Sequence, residues 1–124
     1  MEIYVSHSRD FDFKNGLYVP LRASRLNEQH HIILPHEQSD ANYSSAEFFR
    51  DSCELVVAEV SFKGTGLGIE LGWADAFNVP IIAIYKRGVI PARSLNSVTR
   101  RFVPYSKPEE MIDGIEREIA KLNE

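Results

Sequence analysis

Leu55-Val56-Val57-Ala58-Glu59-Val60 and Ile81-Ile82-Ala83-Ile84-Tyr85 are apolar almost without a break. A strand with one wet face alternates polar and apolar positions, whereas a continuous run belongs to a strand covered on both faces. Shorter strand-like runs stand at residues 3–5, 32–34 and 102–104, and helical patterns fall between them at 14–26, 45–52, 68–78, 94–101 and 108–122. The last helix is the clearest. Ser106 and Glu109 have capping-box spacing, Pro108 suits a first turn, and Met111, Ile112, Ile115, Ile119 and Leu122 make one apolar stripe. Strands alternating with helices over short connections predict a single doubly wound α/β domain over residues 1–124, with about five parallel strands flanked by helices.

Composition narrows what such a domain can meet. A net charge of −4 argues against binding polymeric nucleic acid, which calls for a basic face. No apolar run approaches the ~20 residues of a membrane span, so no membrane partner is expected. The first residues enter a strand pattern without the charged and apolar regions of a signal peptide, and a lone Cys53 cannot form an internal disulfide; both predict a cytoplasmic location. Cys53 lies between the acidic Asp51 and Glu54, which suits packing rather than thiol chemistry.

In an open parallel sheet, ligands bind at the carboxyl ends of the strands, beside helix N-termini. The loops expected there hold Ser6, His7, Ser8 and Arg9 after the first strand, and His36 and Glu37 after the second. The third loop leads through Gly64, Thr65, Gly66 and Gly68 to Glu70. With Tyr4 and Glu59 these residues form the candidate site. Gly66, Gly68 and Gly72 would let backbone approach a ligand closely. Glu70, at the expected helix start among apolar residues, is the candidate nucleophile or base.

Each residue also has an ordinary structural use. Glu70 could be an acid favoured by the helix dipole. Glu59 could be a buried acid with a structural partner, and Tyr4 a core residue with a tied hydroxyl. His36 and Glu37 could shape their loop, Ser6 and Ser8 could satisfy loop backbone, and Trp73 is expected to face the core. Several chemistries do not fit. The glycines match neither a phosphate-binding loop nor a dinucleotide fingerprint, and no Cys or His cluster suggests zinc. Carboxylate chemistry with a tyrosine and polar loops fits cleavage of a glycosidic bond.

The stretch from Val56 to Ala74, with its Gly66-Leu67-Gly68-Ile69-Glu70-Leu71-Gly72 core, resembles the nucleoside 2-deoxyribosyltransferase superfamily, which includes the 2′-deoxynucleoside 5′-phosphate N-hydrolases. Pro80 to Tyr85 is similar to that family's next strand, and Ile3-Tyr4 to its first. The resemblance implies a flavodoxin-like sandwich and cleavage or transfer of the N-glycosidic bond of a nucleoside or nucleoside 5′-monophosphate. Glu70 would be the nucleophile and Tyr4 its neighbour, with Ser8 near a 5′-phosphate. It implies no metal or organic cofactor, and a homodimer or higher homo-oligomer whose subunits complete each other's sites. Some of Phe11, Phe13, Tyr43, Phe48 and Phe49, unusually many apolar residues for loop and short-helix segments, are expected at such an interface.

Two positions depart from the family pattern. A family aspartate that assists at base and sugar is replaced by Ala46, with Glu47 one residue along as its candidate substitute. A family Asp or Ser six residues before the nucleophile is Gly64 here, with Thr65 adjacent. Glu47, Glu59 and His36 are all candidates to protonate the departing base. A non-catalytic nucleotide-sensing module is the second reading. A TIR-like NAD-cleaving domain is the third, because Tyr4-Val5-Ser6-His7-Ser8 resembles a TIR first strand.

Overall fold

The computed structural model describes residues 1–39 and 45–124. Five parallel strands, β1 (Glu2–His7), β2 (His31–Ile33), β3 (Leu55–Glu59), β4 (Ile81–Lys86) and β5 (Arg101–Tyr105), form one sheet in the order β2-β1-β3-β4-β5. This is the doubly wound α/β arrangement that the apolar runs predict. The strand order reverses between β1 and β3, the switch point at which such sheets open a crevice. There β1 and β3 end level, with His7 beside Glu59.

The helices depart from expectation at three places. The expected helix 14–26 is a π-helical turn (Lys14–Tyr18), α1 (Val19–Arg22) and α2 (Arg25–Gln29). The backbone stays helical from Lys14 to Arg22, with π spacing ahead of Pro20, which has no N–H to donate to the preceding turn; the run ends where Ser24 is extended at φ −91°, ψ 164°. Residues 94–101 form only a 3₁₀ turn, Arg93–Ser97, before β5. After α3 (Ala46–Asp51), α4 (Thr65–Ala76) begins three residues earlier than expected, on Gly64 as N-cap. Glu70 is therefore inside a helix rather than at its start. The last helix, α5 (Pro108–Leu122), matches the expected span. Its cap is one residue later than Ser106–Glu109 spacing implies: Glu110 accepts from the N–H groups of Ser106 and Lys107, at 2.9 and 3.1 Å.

The period-two geometry of the strands sorts the core into two layers. Ile3, Val5, Val57, Ile82, Ile84 and Val103 pack with α1, α2 and α5. Tyr4, Val56, Ala58, Ile81 and Ala83 pack with Phe49 of α3 and with Leu67, Leu71 and Ala74 of α4. In the first layer α5 lies very close to β5. A Cβ at Gly114 would stand 2.2 Å from Val103 Cγ1, a contact that only glycine avoids.

Phe49, expected at an interface, is a core residue at 1% exposure, and Phe11, Phe13 and Phe48 are partly buried against the two layers. Tyr43 lies outside the described residues. The exposed large apolar side chains are instead Val19, Ile69, Trp73, Phe77 and Ile90. The half-buried Cys53 thiol donates to the Leu55 carbonyl at 3.2 Å, and burial pushes its pKa up to about 11, as suits a packing role. Among the described residues no helix is long and apolar enough to cross a membrane.

Candidate active site

A cleft of about 530 Å³ opens at the carboxyl ends of β1 and β3. Alternation along β1 decides which of its side chains reach it. Tyr4 and Ser6 point to the α4 side of the sheet and converge on Glu70. Glu70 Oε2 accepts from the Tyr4 hydroxyl at 2.5 Å and from the Ser45 hydroxyl at 2.6 Å, while Oε1 accepts from the Ser6 hydroxyl at 2.7 Å. These three donors come from β1 and from the start of α3. The helix dipole is strong only within the first turn, so hydroxyl donors take over the role expected of it at Glu70. Burial, and then the Glu70 carboxylate, push the Tyr4 phenol well above its ordinary pKa, which keeps it protonated as a donor.

His7 ends β1 on the opposite side and touches the cleft from its floor. Its Nδ1 stands 2.8 Å from the Ser8 carbonyl, which can only accept, so Nδ1 carries the proton. Nε2 then accepts from the Tyr18 hydroxyl at 2.6 Å, and Tyr18 in turn accepts from the His36 N–H at 3.1 Å. Burial lowers the His7 pKa and pushes Tyr18 up to about 12, so this chain of bonds is neutral and ties three loops together. Across the cleft mouth, Arg9 Nη2 donates to His36 Nδ1 at 3.1 Å, which makes that ring nitrogen an acceptor.

The third wall is the start of α4. Gly64, Thr65 and Gly66 line the cleft, and Gly64 makes no side-chain cap, so no side chain at the cap position takes up the first N–H groups of the helix. Close backbone approach is required at Gly64, where a Cβ would stand 3.2 Å from Ser8 Cβ and 3.3 Å from Ser8 Cα. Gly66, Gly68 and Gly72 have no neighbour within 4 Å of such a Cβ. Ser8 Oγ accepts from the Asp10 N–H at 3.1 Å and lines the cleft beside Arg9 and Asp10.

Tyr4, His7, Ser8, His36, Gly64, Thr65, Gly66 and Glu70 thus line one cleft, and Ser6 sits just beneath it. Four candidates do not join them. Glu47 is on the outer face of α3, its side chain 80% exposed and 4.0 Å from Arg50, and does not reach the cleft. Glu37 is held away by a two-point ion pair with Arg22, both contacts at 2.9 Å. Gly68 lies along α4 outside the cleft. Glu59 faces the other layer of the sheet, where it accepts from the Tyr105 hydroxyl and from the Ser61 N–H at 2.5 Å. It is one residue out of phase with Ala58, which shares a face with Ser6 and Tyr4.

Ser45, Ile69 and Trp73 belong to the cleft and were not expected there. Trp73 is 37% exposed because Leu67, Leu71 and Ala74 form the buried stripe of α4, which turns residues 69, 70 and 73 outward toward the cleft. Ser45 carries no signal beyond that of a helix-cap residue, and it meets Glu70 across 25 positions of sequence. Among the described residues no group of three or more His, Cys, Asp or Glu side chains is placed to hold a metal ion.

No family model matches this chain, and no curated protein sequence matches it. Among solved structures, its fold is similar to that of the Clostridium botulinum CMP N-glycosidase BcmB. The TM-score is 0.62 and the identity 18%, over 94% of this chain and 99% of that one. A likeness at this identity establishes the shared fold.

Proposed function

We propose that the chain cleaves the N-glycosidic bond of a nucleoside 5′-monophosphate, with Glu70 as nucleophile. The observation that carries this reading is the Glu70 carboxylate, fixed by three hydroxyls in the wall of an open cleft. Three donors suit an ionised carboxylate, which only accepts. The fold shared with a CMP N-glycosidase supports the same class of chemistry. Glu70 would attack the anomeric carbon, and water would release the sugar from the resulting ester. Of the three acids considered for the departing base, only His36 lines the cleft, and its Nδ1 accepts from Arg9. A ring that accepts there is uncharged, and its remaining N–H is a weak acid, so water in the open cleft supplies the proton.

The phosphate would sit at the start of α4. Ser8, Arg9 and the first residues of α4 line the same cleft, with Asp10 as an opposing charge. A charge-assisted contact is worth about 1.5–3 kcal/mol, or roughly tenfold to hundredfold in affinity. Each 5′-monophosphate should therefore exceed its nucleoside in kcat/KM by roughly that factor, and Ser8→Ala should erode the preference. Chromatography of released base across matched nucleosides and monophosphates reads this directly. Equal kcat/KM for the two forms would remove phosphate from the proposal.

We also propose that a second copy of the chain covers α4. Ile69, Gly72, Trp73, Ala76 and Phe77 recur at helical spacing and are all exposed. Glycine within a helix costs roughly 1 kcal/mol relative to alanine, and nothing in the monomer approaches Gly72 closely enough to require one. Ile69 and Trp73 also line the cleft, so a partner on this face would close its open side. Light scattering at tens of micromolar should give a dimer mass, and Trp73→Glu a monomer. A monomeric wild type overturns the assembly.

A further inference from the structure

We infer that Ser45 is a positioning residue for Glu70 and that Oε1 is the oxygen that attacks; both points rest on the functional reading above. A carboxylate offers about four lone-pair sites, two on each oxygen. Tyr4 and Ser45 take both sites of Oε2, and Ser6 takes one site of Oε1. Among the described residues one site remains, and it belongs to Oε1. The electron pair there forms the bond to the anomeric carbon. The carbon–nitrogen bond breaks, its electron pair goes to the base, and the base takes a proton from water. A second water then attacks the same carbon, giving its proton to the hydroxide left by the first, and the ester's pair returns to Oε1. Through both steps Oε2 keeps the same two donors, so the carboxyl group does not rotate.

Ser45 is spent on this contact rather than on its own helix. It is fully buried and stands at the N-cap of α3, the position at which a serine ordinarily accepts from the second or third N–H of the helix. It makes no such bond. Its hydroxyl is turned to Glu70 instead, and α3 forgoes its cap.

The test is steady-state turnover of the four ribonucleoside and four deoxyribonucleoside 5′-monophosphates, read as released base, together with melting temperature. Ser45→Ala should lower kcat roughly 10- to 100-fold on the best of these while KM stays within about threefold, since the lost contact is to the reacting group and not to bound substrate. Its melting temperature should fall less than that of a variant stripped of a donor to a fully buried carboxylate, because Glu70 lines an open cleft where water can take the place of the lost hydroxyl. Ser45→Thr, which keeps the hydroxyl, should recover most of the rate. Ser6→Ala removes a donor from the attacking oxygen and should cost less than Ser45→Ala. Wild-type kcat in Ser45→Ala, or a rate loss matched by a rise in KM, overturns the role of Ser45. A larger loss in Ser6→Ala than in Ser45→Ala overturns the assignment of Oε1. If Glu70→Gln remains active, or wild type releases no base from any of the eight, the functional reading fails and this inference fails with it.

Discussion

Glu70→Gln should fold, bind nucleotide and lose turnover by roughly 10³-fold or more, the scale seen when a covalent nucleophile is removed. The substitution preserves shape. The new amide oxygen can still accept from a hydroxyl, and a serine hydroxyl can rotate to accept from the amide nitrogen, so the tie to β1 and α3 persists. What disappears is the anionic electron pair. Released base measured by chromatography, alongside melting temperature and nucleotide binding by calorimetry, separates this outcome from simple unfolding. Turnover within about tenfold of wild type would sink the nucleophile assignment, because a lost surface charge costs no more than that. A wild-type protein that binds a nucleotide and leaves it intact for hours would identify a sensing module instead.

The second large effect is on stability. Tyr105 donates to the fully buried Glu59, whose other oxygen accepts from the Ser61 N–H. Tyr105→Phe leaves a buried carboxylate oxygen without its donor. A hydrogen bond to a charged group is worth about 1.5–3 kcal/mol, and in a chain of this length the loss should lower the melting temperature by about 6–15 °C. Burial, and then the Glu59 carboxylate, raise the Tyr105 pKa above its ordinary 10.0 in the folded state. The protonated phenol is thus favoured by folding. This stabilisation is complete below pH 10 and declines as pH rises through the folded pKa. Urea melts at increasing alkaline pH should therefore show a shallower loss in Tyr105→Phe than in wild type. A variant that melts within 2 °C of wild type, by the same scaling, would mean that water already solvates Glu59. The Glu59–Ser61 bond also anchors the connection that carries Gly64 against Ser8, so kcat should fall far less than in Glu70→Gln.

The sheet was legible because burial on both faces leaves a local signature. The unbroken runs at 55–60 and 81–85 can hardly serve except as covered strands, and the stripe of Met111, Ile112, Ile115, Ile119 and Leu122 marks α5 without reference to any other part of the chain. The connection after β1 was less legible. The expected single helix is divided because the extended Ser24 interrupts it, and its first half carries a π turn that apolar periodicity does not signal.

Glu70 and the three loops that frame the cleft could be read from chain order, because the carboxyl ends of parallel strands gather at one edge. Choosing among the acids needed the third dimension. Glu59 and Glu70 lie eleven positions apart and look equally suitable, yet strand alternation sends Glu59 to Tyr105 while helix phase brings Glu70 to Tyr4 and Ser6. Glu47 stands two residues after Ser45 in sequence, but each residue along a helix is a turn of about 100°, and its side chain ends in solvent. Ser45 could not be assigned from sequence at all. A hydroxyl beside a short helix has the same local pattern whether it caps that helix or holds a carboxylate on another one. Local physics in the sequence thus determined the elements, their order and the edge at which chemistry gathers. Which side chains meet at that edge was decided by tertiary structure, through strand parity, helix phase and contacts between residues tens of positions apart.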